Sequence, residues 1–362
     1  MSAGPVLIMA GGTGGHVYPA LAVARELLRR EREVVWLGTR RGLEARVVPE
    51  SGIAIEWLSV KGLRGKGWQS WLVAPLELVR AVTQALAVIR RRRPDAVLGM
   101  GGFVAGPGGL AAWLTRRPLV IHEQNAVAGL TNRLLARFAR VVLEAFPGTF
   151  SSRARVRTVG NPVRREIAAL PPPAERLAAR DGPLRLLVLG GSLGALALNR
   201  QVPAALQRFG TPLRPVVRHQ AGARTFAAAV EAYASAGVDA DIVPFIDDMA
   251  EAYAWADCVI CRAGALTVAE VNAAGLGAVF VPFPHAVDDH QTANAAASVA
   301  AGAAVLLQER AMTAEALAGA LSELGAGREA LTTRAERARE LAAPAALADI
   351  ADVCLSAAEQ GR

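Results

Sequence analysis

A short apolar run that breaks into a glycine loop occurs twice in this chain of 362 residues. Val6-Leu-Ile-Met-Ala-Gly-Gly-Thr13-Gly-Gly opens one copy and Leu186-Leu-Val-Leu-Gly-Gly-Ser192-Leu-Gly-Ala opens the other, with Gly11 and Gly190 set 179 positions apart, close to half the length. A β-branched or leucine-rich run that stops at glycines and resumes as a helix-forming segment is the opening of a strand, loop and helix in an α/β domain. The duplication predicts two such units in tandem, as does the length at ~150 residues per domain. Runs at 6–9, 34–37, 54–58, 96–98, 119–122 and 141–144 read as strands of a first parallel sheet. Those at 184–189, 214–218, 240–243, 257–261, 278–281 and 304–307 read as a second. Gly160-Asn-Pro-Val-Arg164 and the prolines 171–173 suit a semi-rigid connector, so the units are expected at 1–164 and 165–344. A last helix after Pro344, within 345–362, is expected to rejoin the first unit.

Charge narrows the partners without choosing one. Lys and Arg number 40 against 32 Asp and Glu, a formal +8, while 52% of residues are hydrophobic and 20% charged. That balance excludes a disordered chain and predicts attraction to phosphate groups. No basic and aromatic RNA-binding motif accompanies it, so nucleic acid is not an expected partner. Three cysteines argue against a disulfide scaffold and for a reducing, cytoplasmic compartment. Cys258-Val-Ile-Cys261 has redox-pair spacing, but residues three apart on a strand face opposite sides, so both are expected in the core. No export signal opens the sequence, and no apolar stretch reaches the ~20 residues of a spanning helix.

A strand, a tight glycine turn and a helix aim unpaired N–H groups and the positive end of the helix dipole at one spot, which suits phosphate. The loops at Gly11 to Gly15 and at Gly190 to Gly194 have this context, as does Gly101-Gly102-Phe-Val-Ala-Gly106-Pro-Gly108-Gly109 after the strand at 96–98. Neither opening loop is a dinucleotide fingerprint, because Val17 stands where the third glycine belongs, and the Lys of a phosphate-binding Walker loop is absent. Arg40 and Arg41 after the second strand could hold a 2′-phosphate, but an NADP-dependent reductase still needs the missing glycine.

Taken in order, Gly11-Gly-Thr-Gly-Gly-His16, Gly99-Met-Gly-Gly-Phe-Val-Ala-Gly-Pro-Gly-Gly109, His122-Glu-Gln-Asn125, Gly160-Asn-Pro-Val-Arg164, Gly190-Gly-Ser192, Phe245-Ile-Asp-Asp-Met249 and Gly264-Ala-Leu-Thr-Val-Ala-Glu270 resemble the bacterial N-acetylglucosaminyltransferases that convert lipid I to lipid II in peptidoglycan synthesis. The resemblance implies an α/β chain of GT-B architecture, two Rossmann-like parallel-sheet domains facing a cleft. The N-terminal domain would bind acceptor and membrane, and the C-terminal one UDP-N-acetylglucosamine. It further implies transfer to the C4 hydroxyl of MurNAc in undecaprenyl-diphosphate-MurNAc-pentapeptide, with inversion and with no cofactor or metal. A UDP-sugar epimerase of the same fold is the alternative, and it would need no lipid acceptor.

The resemblance also distributes roles. It points to His16 as general base, at a helix N-terminus whose dipole is expected to disfavour imidazolium. For UDP-N-acetylglucosamine it implies Ser192 at a phosphate, Ile246 at the uracil, and Ala265, Leu266, Thr267, Val268, Ala269 and Glu270 along ribose and phosphate. Asn125 and Gln291 would meet sugar hydroxyls, Arg164 the phosphate or uracil, and Thr13, Gly14 and Gly15 would complete the donor site. The acceptor diphosphate is expected across Gly14, Gly15, Gly101 and Gly102. Residues 67–94 read as a helix carrying Trp68, Trp71, Leu72, Leu76 and Val79, with Lys61, Arg64 and Lys66 beside it. That mixture suits peripheral attachment to the cytoplasmic face of the cell membrane, where an undecaprenyl acceptor must stay.

Overall fold

The computed structural model describes residues 3–59, 68–151, 155–178, 180–191, 194–210 and 213–360, with side chains in 68–74 left aside. The chain divides into two compact units, one of Met1–Pro162 with Ala343–Arg362 and the other of Val163–Ala342.

The first unit is built on seven strands: β1 (Val6–Ala10), β2 (Val34–Gly38), β3 (Ala54–Trp57), β4 (Ala96–Gly101), β5 (Leu119–Glu123), β6 (Val141–Glu144) and β7 (Val156–Thr158). They pair in parallel in the order β3-β2-β1-β4-β5-β6-β7. Strand β1 is apolar throughout because a central parallel strand is covered on both faces. Its side chains alternate between two cores. Val6, Ile8 and Ala10 join Trp36 and Leu98 beneath the helix Gly14–Arg29 and the final helix Ala346–Glu359. Leu7 and Met9 join Leu37 and Val97 beneath the helices Trp68–Arg92 and Ala105–Leu114. Ile350, Ala351 and Cys354 of the final helix are fully buried, so the chain's last element completes the first unit's core.

The second unit repeats the plan with β8 (Arg185–Leu189), β9 (Val216–Gln220), β10 (Asp241–Val243), β11 (Cys258–Cys261), β12 (Gly277–Phe280) and β13 (Ala304–Leu306), parallel and ordered β10-β9-β8-β11-β12-β13. Cys258 faces the core that holds Leu186 and Val188, and Cys261 the opposite core with Leu187 and Leu189. Both thiols are free, and burial pushes them above their ordinary pKa.

Strand order reverses between β1 and β4 in one unit and between β8 and β11 in the other. In open parallel sheets, loops at the carboxyl ends of strands flanking such a reversal form the ligand crevice. Gly11 to Thr13, Gly102 to Val104, Gly190, Gly191, Gly194, Ala195 and Arg262 to Gly264 all lie on those loops, and Gly101 ends β4. Strand β7, which the sequence reading did not include, is an exposed three-residue edge.

Candidate active site

In the first unit, Thr13 caps the helix Gly14–Arg29 with extended backbone, but its side chain makes no capping hydrogen bond. The first-turn N–H groups beside Gly14 and Gly15 therefore receive no side-chain acceptor from the cap. His16, half-buried, is the third residue of that helix. Loops after β1 and β4 meet here at van der Waals limits. A Cβ on Gly101 (φ +104°) would stand 2.7 Å from His16 Nδ1, and one on Gly102 (φ +82°) would stand 2.2 Å from the Gly11 carbonyl oxygen. Only glycine fits either place.

Three buried carboxylates fix the loops after β1, β2, β5 and β6. Glu44 accepts from the N–H of Gly12 at 2.9 Å and from the N–H and hydroxyl of Thr39 at 3.0 and 2.7 Å. Glu123, ending β5, accepts from the backbone N–H of Asn125 at 3.0 Å and of Gly129 at 3.1 Å, and from the side-chain amides of Asn125 and Asn132. Glu144, ending β6, accepts from the N–H groups of Gly148 and Phe150, both at 3.0 Å.

Behind His16 lies a line of polar groups. His16 Nδ1 is 2.9 Å from Gln124 Oε1, and Gln124 Nε2 is 3.0 Å from His122 Nδ1. His122 Nε2 is 2.9 Å from the carbonyl oxygen of Gly160, and Asn161 Nδ2 donates to the Gln124 carbonyl at 2.9 Å. His122 is fully buried, and burial pushes its pKa down, which keeps it neutral.

In the second unit, Gly264 caps the ten-residue helix Ala265–Ala274 with extended backbone and offers no capping side chain. Ala265, Val268 and Glu270 are buried, while Leu266, Thr267 and Ala269 are partly exposed. Glu270 Oε1 accepts from Arg164 Nε at 3.2 Å and from a terminal guanidinium nitrogen at 3.0 Å, and Oε2 accepts from the Tyr253 hydroxyl at 3.3 Å. Burial is the main influence on this carboxyl and pushes its pKa up, against the pull of Arg164. Both oxygens are thus engaged, and a ribose hydroxyl would use the lone pairs that remain on them.

Ile246 packs into the same core as Val268. Gln291, in the first turn of the helix His290–Ala300, accepts from the Phe283 N–H at 2.9 Å through Oε1. Ser192, with Lys61, Arg64 and Lys66, lies outside the described residues. Within the first unit, then, Thr13, Gly14, Gly15, His16, Gly101 and Gly102 gather at one sheet reversal, next in chain to Asn125 through Gln124. Within the second, Arg164 and Glu270 form one cluster with Tyr253. Tyr253, Glu44 and the linking role of Gln124 escaped the sequence reading. Polar His122, Glu123 and Gln124 closing an apolar strand were the visible signal, whereas a lone Glu44 or Tyr253 gave none.

Residues 6–144 match the glycosyltransferase family 28 N-terminal domain, and residues 185–352 match its C-terminal domain. A relative from Alkalilimnicola ehrlichii is 62% identical over 98% of this chain and 99% of its own, and one from Marinobacter nauticus is 56% identical over 97% of each. Both are named UDP-N-acetylglucosamine–N-acetylmuramyl-(pentapeptide) pyrophosphoryl-undecaprenol N-acetylglucosamine transferase. Among solved structures, MurG of Acinetobacter baumannii superposes with a TM-score of 0.85 at 44% identity, covering 98% of this chain and 99% of that one.

Proposed function

The chain belongs to glycosyltransferase family 28, and on that premise we propose that it transfers N-acetylglucosamine from UDP-N-acetylglucosamine to the C4 hydroxyl of MurNAc in undecaprenyl-diphosphate-MurNAc-pentapeptide. Its two parallel-sheet α/β units are those of the GT-B glycosyltransferases. The observation that carries the reading is the near full-length identity with transferases named for this reaction, which disfavours a UDP-sugar epimerase of like fold.

The chemistry follows from the residues of each unit. The acceptor C4 oxygen attacks the anomeric carbon, the bond from that carbon to the diphosphate oxygen breaks, and UDP leaves with the bonding electrons, inverting the centre. His16 takes the hydroxyl proton. On the second unit, the positive end of the helix that starts at Ala265 stabilises the charge growing on the departing diphosphate. Glu270, held by Arg164 and Tyr253, accepts from ribose hydroxyls, Ile246 lies against the uracil, Ser192 meets a phosphate and Gln291 a sugar hydroxyl. On the first unit, Asn125 meets a sugar hydroxyl, Thr13, Gly14 and Gly15 complete the donor site, and Gly14, Gly15, Gly101 and Gly102 hold the acceptor diphosphate.

An acceptor carried on an undecaprenyl lipid supports peripheral attachment to the cell membrane, which this reading puts at the cytoplasmic face. Among the described residues no helix is long and apolar enough to cross a bilayer. The first unit instead exposes Leu76 (72%), Leu78 and Val79 on the helix Trp68–Arg92, and Trp113 tilted against Phe138 with ring centroids 4.9 Å apart. Arg116, Arg117, Arg133 and Arg137 lie close in sequence to that pair, a mixture that suits an anionic lipid surface.

Incubation with radiolabelled UDP-N-acetylglucosamine, with and without a lipid I analogue and in the presence of a chelator, tests the reading. Label reaching the lipid only when acceptor is present supports it. Conversion of the UDP-sugar without acceptor returns the chain to the epimerase.

A further inference from the structure

The line of groups behind His16 has a fixed polarity. The Gly160 carbonyl can only accept, so the nitrogen 2.9 Å away, His122 Nε2, must carry a proton. A neutral ring holds one such proton, so His122 Nδ1 is a bare acceptor. The Gln124 group facing it at 3.0 Å must therefore be the amide NH2, whose second hydrogen reaches the His122 carbonyl oxygen at 3.1 Å. Turning that amide over would set its oxygen against a bare nitrogen and a carbonyl oxygen, two repulsive contacts in a buried place. Gln124 Oε1 is thereby committed to His16, and His16 Nδ1, 2.9 Å away, must donate to it. Asn161 holds the Gln124 backbone from the other side and keeps the side chain in register.

From this we infer that His122 and Gln124 are positioning residues that fix His16 as its Nδ1–H tautomer, leaving Nε2 as the nitrogen with a free lone pair. Nε2 makes no hydrogen bond to any described residue. An imidazole left to itself prefers the other tautomer, in which Nε2 already bears the proton and cannot take one from a hydroxyl. Orienting the second nitrogen of a working histidine is what its hydrogen-bond partner does in other enzymes. Here a neutral amide does so, itself oriented by a buried neutral histidine. The inference rests on the reading of His16 as base only for its catalytic consequence; the tautomer stands on the hydrogen bonds.

The test is long-range 1H–15N correlation spectroscopy on the full-length chain labelled with 15N-histidine, near pH 8, with the five histidines assigned by single substitutions. We expect a pyrrole-type Nδ1 and a pyridine-type Nε2 for His16, and the reverse for His122. A pyridine-type Nδ1 at His16 overturns the inference, and this measurement needs no variant to fold. Gln124→Leu should move His16 toward the Nε2–H form and lower kcat about 10- to 100-fold, with KM for UDP-N-acetylglucosamine changed less than about twofold. His122→Asn, whose amide oxygen can stand near the place of Nδ1, should retain more of kcat than His122→Leu. Equal losses in those two, with an unchanged His16 spectrum, would reduce His122 to packing. If His16→Ala keeps its turnover, the base reading falls while the spectra still decide the tautomer. If His16→Ala is inactive and His16 shows Nε2–H, the base stands and the relay falls.

Discussion

His219 lies buried on β9 with Nδ1 3.0 Å from the Tyr233 hydroxyl, and burial pushes its pKa down to about 3. In the unfolded chain the same ring titrates near 6.5. Between these values the unfolded state binds the extra proton, so stability is fully present above pH 6.5 and falls as pH drops, by up to about 1.4 kcal/mol per pH unit. Denaturant unfolding from pH 7 to 4 should show this slope, and His219→Phe should flatten it while costing about 1 kcal/mol at pH 7 for the orphaned Tyr233 hydroxyl. An unchanged slope would mean that another group sets the acid limb. Glu270→Gln keeps the shape and the Tyr253 contact but removes the charge that aligns Arg164. Steady-state kinetics should show KM for UDP-N-acetylglucosamine raised about tenfold or more, with the lipid KM little changed. The candidate site was legible where chemistry and loop coincide, as at His16 and Gly264. It was illegible where a side chain acts through another: nothing in the order of residues says that Gln124 faces His16 rather than solvent.

At the scale of elements, central strands were legible because burial on both faces demands unbroken apolar runs, as in Val6–Ala10 and Cys258–Cys261. Strand β9 sits two residues later than the run at 214–218 suggests, because Arg214 and Pro215 precede the sheet and polar His219 and Gln220 lie inside it. Val156–Thr158 was not legible, since an edge of three partly exposed residues needs no pattern. The helix Trp68–Arg92 divides its faces differently along its length. Ala85, Val88 and Ile89 bury against the sheet, whereas Leu76, Leu78 and Val79 stay in solvent. If that exposed end lies on lipid, replacing Leu76, Leu78 and Val79 with serine should lower partition onto anionic vesicles at least about tenfold, since each large apolar side chain withdrawn from water contributes about 1.5–3 kcal/mol. Because these side chains are already exposed, folding stability should barely change. Sedimentation with vesicles and thermal melts would separate the two effects, and equal partition by both proteins would remove this helix from the membrane surface.

For the whole molecule, each unit has its own two-sided core, and the chain leaves the first unit at Pro162 and re-enters it at Ala343. The last helix is therefore energetically part of the first unit although it follows the second in sequence. Ile350 makes this testable, being fully buried against the first sheet far from the glycine loops in sequence. Ile350→Ala should cost about 2–5 kcal/mol through lost burial and the cavity left behind. A donor nucleotide at a hundred times its Kd should add about 2.7 kcal/mol to whichever unit binds it. If the units unfold separately in calorimetry, Ile350→Ala should lower one transition, and UDP-N-acetylglucosamine should raise the other, because Glu270, Arg164 and the helix N-terminus at Gly264 all belong to Val163–Ala342. A nucleotide that raised the transition lowered by Ile350→Ala would place the donor on the first unit's glycine loops instead. A single shared transition moved by both would show that the two cores unfold as one.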